Sequence, residues 1–131
     1  MLDIKNLLHK NNVVICGALR YSPHSTSDGT TAKIAQFLKT DFINITDVPG
    51  LFTKNPKEHK DAKLVPKISW KSFEKMAFSL KHEAGQHFIL DQEASTIIKK
   101  HKIKTYIVGP NMNNLSKLLD GKKFIGTTIS D

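Results

Sequence analysis

Two polar loops, each following an apolar run, carry the residue types that bind phosphate groups. The first, Ser22–Asp28 (SPHSTSD), gathers hydroxyls and a carboxylate at a helix start, where backbone N–H groups favour anions. The second, Thr46–Phe52 (TDVPGLF), places a Pro-Gly turn after an apolar strand, and glycine allows a ligand close to the backbone. Parallel strands present nucleotides at their carboxyl ends. We therefore expect the two loops to hold a phosphate donor and acceptor side by side.

Both loops also have a purely structural explanation. Ser, Thr and Asp are common helix caps, and Phe52 could be a core residue beside a turn capped by Asp47. The glycine-rich sequences GxxxxGK and GxGxxG do not occur, which disfavours the two nucleotide folds that use them. The histidines lack the paired spacing of a metal site, so no metal ligands are predicted. Without a GxSxG sequence, a serine hydrolase is also disfavoured.

The composition indicates one globular domain. The chain has 131 residues, of which 39% are hydrophobic, and no apolar run approaches the ~20 residues of a membrane helix. The start of the chain does not resemble a signal peptide, and Cys16, the single cysteine, fits a reducing compartment, so we expect a cytoplasmic protein. Cys16 lies in an apolar run and is predicted to be a buried thiol rather than a nucleophile.

The net charge of +8 could steer polyanions towards the protein. Most of the excess is lysine, and Arg20 is the only arginine, whereas nucleic-acid-binding surfaces more often cluster arginine with aromatic residues. The run KKHKIK at Lys99–Lys104 is interpreted as a basic helix end that suits the helix dipole. Nucleic-acid binding is therefore a distant third function class.

The order of the predicted elements indicates an α/β protein with a mostly parallel sheet flanked by helices. Right-handed crossovers would bring the two polar loops to one rim, and the last strand could run antiparallel at an edge. The predicted elements are a short helix Leu2–His9, a buried strand Val13–Ala18, a helix Thr31–Leu38 capped by Asp28, a strand Phe42–Val48, an irregular segment Leu51–Lys67, a helix Trp70–Leu80 capped by Ser69, a helix from Asp91 to near His101, a strand Thr105–Val108, a helix Met112–Leu119 closed by Asp120-Gly121, and a strand Phe124–Ile129.

These sequences together resemble the amino-acid kinase family, and most closely its archaeal uridylate (UMP) kinases. The resemblance is carried by TDVPGLF with Asn55-Pro56, by DAKLVPKIS, by Gly85 with FILDQEASTIIKKHKIKTYIV, and by LLDGKKFIGTTI. The usual family pattern is TNVDGVY followed by DP. Here Pro49 and Asn55 each replace an aspartate and Phe52 replaces a tyrosine. The changes at Pro49 and Asn55 bear on base preference and ATP affinity.

The resemblance implies a role for each matched position. Asp28 falls where relatives place a carboxylate that orients catalytic lysines. Ser25, Thr26 and Ser27 fall near the acceptor phosphate. The adenine and ribose site is implied at Thr46, Asp47, Gly50, Phe52, Lys54, Asn55 and Pro56. ATP and Mg²⁺ are the implied cofactors.

The resemblance also implies that residues 1–131 are the ATP-binding, carboxyl-terminal half of such a kinase. The K-x-G-G strand and second glycine-rich loop of the acceptor half are absent from this sequence. Since phosphoryl transfer depends on cations and backbone donors around the phosphoryl group, we expect this chain alone to be weak or inactive. A homo-oligomer or a partner chain would supply the missing half.

The reaction implied for the complete enzyme is ATP-dependent phosphorylation of UMP to UDP, a step of pyrimidine biosynthesis. Isopentenyl phosphate or an amino acid remain possible acceptors. The alternative is a non-catalytic nucleotide-binding or regulatory module derived from such a kinase, which the changes at Pro49 and Asn55 favour.

Overall fold

A four-stranded mixed sheet with flanking helices forms the framework of the protein. The structure, a computed structural model, describes residues 2–17, 26–79 and 89–131. Among these residues no helix is both long and apolar enough to cross a membrane. In chain order the elements are α1 (Leu2–Leu8), α2 (Ser27–Leu38), β1 (Phe42–Ile45), β2 (Lys67–Ile68), α3 (Trp70–Ser79), α4 (Gln92–His101), β3 (Thr105–Val108), α5 (Met112–Leu119) and β4 (Thr127–Ile129).

The strand order is β1-β3-β4-β2, with β1 parallel to β3 and β2 parallel to β4. Strand β4 runs antiparallel to β3. The predicted α/β class and largely parallel sheet are confirmed. The last strand is antiparallel as anticipated, but it lies inside the sheet rather than at an edge, because β2 pairs with its other side.

Helices α2, α3 and α4 are held together by small and apolar residues. Ala32 and Ala35 of α2 and Ala94 of α4 are buried, and these short side chains let the two helices approach closely. Phe73 of α3 and Ile98 of α4 are fully buried in the same core. The sheet contributes Phe42, Ile107 and Ile129 to it.

The helix boundaries follow the capping residues. Asp91, where this helix was predicted to begin, is the N-cap of α4, and its side chain accepts a hydrogen bond from the Ala94 N–H at 2.7 Å. Gly121 has a φ of +67°, which suits the predicted end after α5. The N-cap of α2, however, is Thr26, whose hydroxyl accepts from the Gly29 N–H at 3.0 Å. The prediction of Asp28 as the cap was wrong, because the helix starts earlier and places Asp28 in its first turn.

The predicted buried strand Val13–Ala18 does not form in its described part, residues 13–17. Val13 is 74% exposed and Ile15 is 95% exposed, and Cys16 is exposed rather than buried. An apolar run becomes a strand only when a neighbouring strand pairs its backbone groups, and no described strand does so here. Ala18 lies outside the described residues.

Three further boundaries differ from the predictions. Strand β1 ends at Ile45 rather than Val48, and β4 begins at Thr127 rather than Phe124. The predicted irregular segment Leu51–Lys67 ends in β2, which two residues alone form. Two-residue strands leave almost no alternation in the sequence, so pairing with β4 rather than local pattern defines this one.

The turn after β1 is fixed against the start of β4. The Thr127 hydroxyl accepts from the Leu51 N–H at 2.8 Å and donates to the Val65 carbonyl at 2.6 Å. Both Leu51 and Thr127 are buried. One side chain therefore joins the segment that follows the Pro-Gly turn to the residues that lead into β2.

Replacing Thr127 with valine should lower the free energy of unfolding by about 1–3 kcal/mol. Valine keeps the shape of threonine but leaves the Leu51 N–H and the Val65 carbonyl unpaired in the interior. Urea denaturation measures the change. Thr127→Ser retains the hydroxyl and is the matched control, so equal losses for both variants would contradict the assigned hydrogen bonds.

Replacing Gly126 with alanine should destabilise the fold by about 2 kcal/mol, because a methyl group has no room there. A Cβ atom at Gly126 would lie 2.6 Å from the Ile107 carbonyl oxygen and 2.9 Å from a Val108 methyl group. Gly17→Ala is the control, since a Cβ there would meet no atom of the described residues within 4 Å. A shift in the thermal midpoint of Gly17→Ala as large as that of Gly126→Ala would refute this packing argument.

Candidate functional site

A cavity of about 640 Å³ opens at the carboxyl ends of the parallel strands β1 and β3. Open sheets of this kind bind ligands in the crevice at this edge. The turn after β1 forms one wall and the loop and first turns after β3 form the other. The cavity is lined by Asp47, Val48, Pro49, Gly109, Pro110, Asn111, Asn113, Asn114, Lys117 and Ile125.

The turn after β1 is held by its own backbone and by close packing at Gly50. The Thr46 N–H donates to the Val108 carbonyl at 2.9 Å, which continues the pairing of β1 with β3. Gly50 is buried, and a Cβ atom on it would lie 2.9 Å from both a Leu64 methyl group and the Thr127 hydroxyl. The glycine at this position is therefore explained by protein packing rather than by open space for a ligand.

Asp47 stands at the mouth of the cavity with its charge already paired. Lys57 donates a hydrogen bond to its carboxylate, and the Thr46 hydroxyl lies 3.3 Å from the other oxygen. The hydrogen bond and positive charge of Lys57 lower the pKa of Asp47. Asp47 is thus ionised at neutral pH, and Lys57 offsets its repulsion of an anionic ligand.

The segment after the turn is folded on itself. Phe52 is half-buried and forms an isolated antiparallel bridge with Leu64. Lys54 pairs with Asp61 at 2.5 Å. The Asn55 side chain accepts from the Lys57 N–H at 3.1 Å, so it closes the turn that Pro56 begins.

The structure therefore separates the residues predicted for the ATP site. Of these seven, only Asp47 lines the cavity, while Thr46 and Gly50 hold the turn that forms its wall. The other four lie in the segment that follows, Phe52, Lys54, Asn55 and Pro56. These four residues follow the turn in the sequence, but they do not line the cavity. Phe52, Lys54 and Asn55 instead contact residues of their own segment, namely Leu64, Asp61 and Lys57.

Two of the three residues predicted to lie near the acceptor phosphate, Thr26 and Ser27, are found where α2 begins, close to the start of α4. The Thr26 hydroxyl donates to the Asp91 carboxylate while accepting from the Gly29 N–H. Asp91 therefore caps α4 and holds the cap of α2 at the same time. Ser27 is exposed at the start of α2, and Ser25 lies outside the described residues.

Asp28 is half-buried in this cluster, and burial followed by the nearby charge of Asp91 raises its pKa. Gly29 fits closely beside it, since a Cβ atom there would lie 2.4 Å from Glu93 Oε2. Lys33 pairs with the other Glu93 oxygen at 2.6 Å. The helix starts are thus a tightly packed acidic region with one compensating lysine.

The described end of the first predicted loop, Thr26–Asp28, lies towards the same edge of the sheet as the turn that follows β1. Each of α2 and α4 leads into a parallel strand, so both helices begin towards the carboxyl ends of β1 and β3. The Asn44 side chain of β1 reaches the Ile89 carbonyl at 3.4 Å, two residues before the α4 cap. Among the described residues, those lining the cavity do not include Thr26, Ser27 or Asp28.

Sequence reasoning missed the residues that follow β3. The sequence predicted a helix from Met112 but no site residue there, yet Asn111 lines the cavity with Asn113, Asn114 and Lys117. The signal was available, because Gly109-Pro110-Asn111 is a polar loop after a buried strand, as is the loop that begins at Thr46. Asp91 was predicted as the start of a helix but not as the partner of Thr26.

Curated uridylate kinases are similar to this chain over part of their own length. The chain is 30% identical over 119 residues to a uridylate kinase of Methanococcus aeolicus, covering 90% of this chain and 52% of that protein. It is 35% identical over 109 residues to one of Pyrococcus abyssi, covering 82% and 48%. The chain spans about half the length of the curated relatives it matches.

A solved structure agrees with the fold. The crystal structure of uridylate kinase from Archaeoglobus fulgidus superposes with a TM-score of 0.83 at 30% identity, covering 98% of this chain and 57% of that one. The fold alone extends to UMP kinase from Bacillus anthracis, with a TM-score of 0.67 at 21% identity, covering 84% and 42%. The model of the amino acid kinase family matches residues 2–109. This chain belongs to the amino acid kinase family.

Proposed function

We propose that this chain is the ATP-binding half of a kinase that phosphorylates UMP to UDP. The observation that carries the proposal is the cavity at the β1–β3 edge, in a fold that superposes on a uridylate kinase over 98% of the chain. The relatives named above are uridylate kinases, which supports UMP over isopentenyl phosphate or an amino acid as the acceptor.

The predicted roles are part of this proposal. Asp28 would orient the cations that neutralise the transferred phosphoryl group, as the charged groups of phosphoryl-transfer sites do. Ser25 and Ser27 would donate hydrogen bonds to the acceptor phosphate. The Thr26 hydroxyl is bonded to Asp91 and Gly29, so we assign Thr26 to holding the loop rather than to direct contact.

The residues predicted for the ATP site have two kinds of role in this proposal: one lines the cavity, and the others hold the backbone around it. Asp47 would face the nucleotide, while Thr46 and Gly50 fix the turn that carries Asp47. Phe52, Lys54, Asn55 and Pro56 form the adjoining segment predicted to meet adenine and ribose. Their contacts with Leu64, Asp61 and Lys57 would fix the conformation of this segment beside the nucleotide.

Magnesium fits this arrangement as a companion of the nucleotide. Within residues 2–17, 26–79 and 89–131 no group of three or more His, Cys, Asp or Glu residues could hold a metal ion. Kinase magnesium is usually held by substrate phosphates with one or two carboxylates, and Asp28 could supply one. Bound there, the ion would neutralise charge on the transferred phosphoryl group.

Catalysis would need the remainder of a kinase, from a homo-oligomer, a partner chain or further sequence. The chain spans about half of its relatives, so the cations and donors of the other half must come from elsewhere. The second candidate is a non-catalytic nucleotide-binding module. It is favoured by Asn55, which stands at a position of family aspartates and is occupied in closing a turn.

Removing the Asp28 charge should stabilise the fold at neutral pH. Because the pKa of folded Asp28 is raised, the folded state binds its proton more tightly than the unfolded state. Stability therefore falls as pH rises from the ordinary aspartate pKa through the raised one, and the penalty is complete above it. Asp28→Asn lacks this penalty, so it should exceed wild-type stability at pH 7 and lose the advantage below about pH 3.5.

Urea denaturation between pH 3 and pH 7 measures this difference. Asp3→Asn, at an exposed position in the first turn of α1, is the control and should show no comparable pH-dependent gain. A wild type more stable than Asp28→Asn at pH 7 would contradict the inferred cost of the charge. A carboxylate kept in spite of such a cost is typical of a functional site.

The chain alone should form little ADP in a UMP-dependent assay. Mixing it with the part of the Archaeoglobus fulgidus uridylate kinase that it does not match, or joining the two, should restore UMP-dependent ADP formation. Asp28→Asn in the restored enzyme should lower kcat by about 100-fold or more, since it removes an electrostatic contact at the reacting phosphate.

The assay separates the candidate functions. Turnover with isopentenyl phosphate or acetylglutamate but not UMP would contradict the acceptor. Robust turnover by the chain alone would contradict the need for a second half. Calorimetric binding of ATP without turnover in the restored protein favours the regulatory module.

A further inference from the structure

A second cavity, of about 450 Å³, lies at the amino ends of β1 and β3, on the edge of the sheet opposite the cavity that follows β1. The ends of α2 and α4 form its two walls, and its charged lining residues are Lys39, Asp41, His101, Lys102 and Lys104. We propose that this basic cavity binds an anion carrying two or more phosphate groups, with Lys39 and Lys102 as its main contacts. The proposed phosphoryl transfer uses none of these residues.

The basic cavity has an excess of positive charge. Three lysines face one aspartate, which leaves two uncompensated positive charges when His101 is neutral. In the part of the chain that the structure describes, none of these three lysines forms an ion pair with a carboxylate. Lys39 belongs to one wall and Lys102 to the other, so each can donate hydrogen bonds to a different phosphate group of one ligand. The volume is within the usual range of small-molecule sites.

Lys39 and Lys102 have a backbone conformation that is rare for lysine. Their φ angles are +55° and +51°, and among the described residues they are the only non-glycine residues with a positive φ. Glycine is the usual residue in the left-handed conformation that ends a helix, because a Cβ atom makes that conformation less favourable. The same unfavourable choice occurs on both walls of one cavity, which indicates that the lysine side chains themselves are needed there.

The backbone of the basic cavity is fixed without a ligand. The N–H groups of Lys39 and Lys102 each close the last turn of their own helix. The Phe42 N–H donates to the Lys104 carbonyl at 3.0 Å, which holds the two walls together where β1 and β3 begin. The Lys104 ammonium lies 5.3 Å from the centre of the Tyr106 ring. The ammonium groups of Lys39 and Lys102 can therefore meet an anion without any rearrangement of the backbone.

The helix dipole alone does not explain these lysines. A positive charge near the end of a helix is favourable, but α4 already has Lys99, Lys100 and His101 in its last turn. Lys102 therefore adds little by this effect, although its backbone conformation is costly. Nucleic acid is a less suitable ligand, because no arginine, phenylalanine, tyrosine or tryptophan lines the basic cavity to stack on a base.

The proposal is tested by a nuclear magnetic resonance titration of the chain with inorganic triphosphate at constant ionic strength. The backbone amides of Thr40 and Ile103, which line the basic cavity, should show saturable shift changes. The double variant Lys39→Gln with Lys102→Gln should weaken this binding by about tenfold or more, because charge-assisted hydrogen bonds are lost.

The matched control is Lys71→Gln with Lys75→Gln, which removes the same charge from exposed positions of α3 outside the basic cavity. It should change the affinity by less than about twofold, because salt screens distant surface charges.

A glycine pair separates binding from stability. Lys39→Gly with Lys102→Gly should bind triphosphate as weakly as the glutamine pair. Its thermal midpoint should be no lower than that of the wild type, because glycine suits the left-handed backbone. Lost binding in this variant would then not result from unfolding.

Several results would overturn the basic cavity as a site for an anion with two or more phosphate groups. These are an absence of saturable shifts at Thr40 and Ile103, wild-type affinity in the glutamine or glycine pair, and equal weakening by the α3 control. Inorganic phosphate binding as tightly as triphosphate would contradict the need for two phosphate groups. A short single-stranded RNA that bound there when triphosphate did not would contradict the ligand class. None of these outcomes depends on phosphorylation of UMP, so this site and the proposed function can fail separately.

Discussion

The close approach of the Pro-Gly turn to the start of β4 is the constraint on which the candidate site depends. Gly50 and Gly126 meet with no room for a methyl group, and the Thr127 hydroxyl joins the segments on either side. This contact sets how far the turn after β1 stands from the loop after β3. A larger residue at either glycine would move one wall of the cavity relative to the other.

A second constraint acts at the helix starts. Asp91 uses one carboxylate oxygen to cap α4 and the other to accept from Thr26, the cap of α2. Two helix ends are therefore positioned by one side chain, and the half-buried Asp28 lies beside Asp91 in the first turn of α2. The negative charge of Asp91 disfavours the ionised form of Asp28. The residue that positions both helix ends therefore also makes the Asp28 charge less favourable.

The sequence predicted what depends on local pattern and missed what depends on pairing. Helices α3, α4 and α5 follow from apolar spacing and from caps such as Asp91, and the turn at Gly121 follows from glycine. Strand β2 could not be predicted, since its two residues are strand only because β4 lies beside them. The strand predicted around Val13 and Ile15 was wrong for the opposite reason: its composition is strand-like, but no described strand pairs with it.

For the candidate site too, the sequence predicted what depends on local pattern and missed what depends on distant contacts. The polar turn at Thr46 could be predicted because a family motif coincides with the end of a strand. The motif could not show which of its residues line the cavity and which only hold the turn in place. Whether Gly50 serves a ligand or the core depends on what lies across from it, here Leu64 and Thr127. Lys117 carries no local signal at all, since its place in the cavity depends on how α5 packs after β3.

The charges near the edge bear on why a second half is proposed. Lys33, Lys54 and Lys57 are each paired with a carboxylate among the described residues, with Glu93, Asp61 and Asp47 respectively. Lys117 is the lysine lining the cavity without such a partner in that part of the chain. A triphosphate carries several negative charges, and its transfer needs more than one free cation around the moving group. The described residues are therefore better equipped to bind a nucleotide than to stabilise its transition state, which agrees with a kinase site completed by another segment.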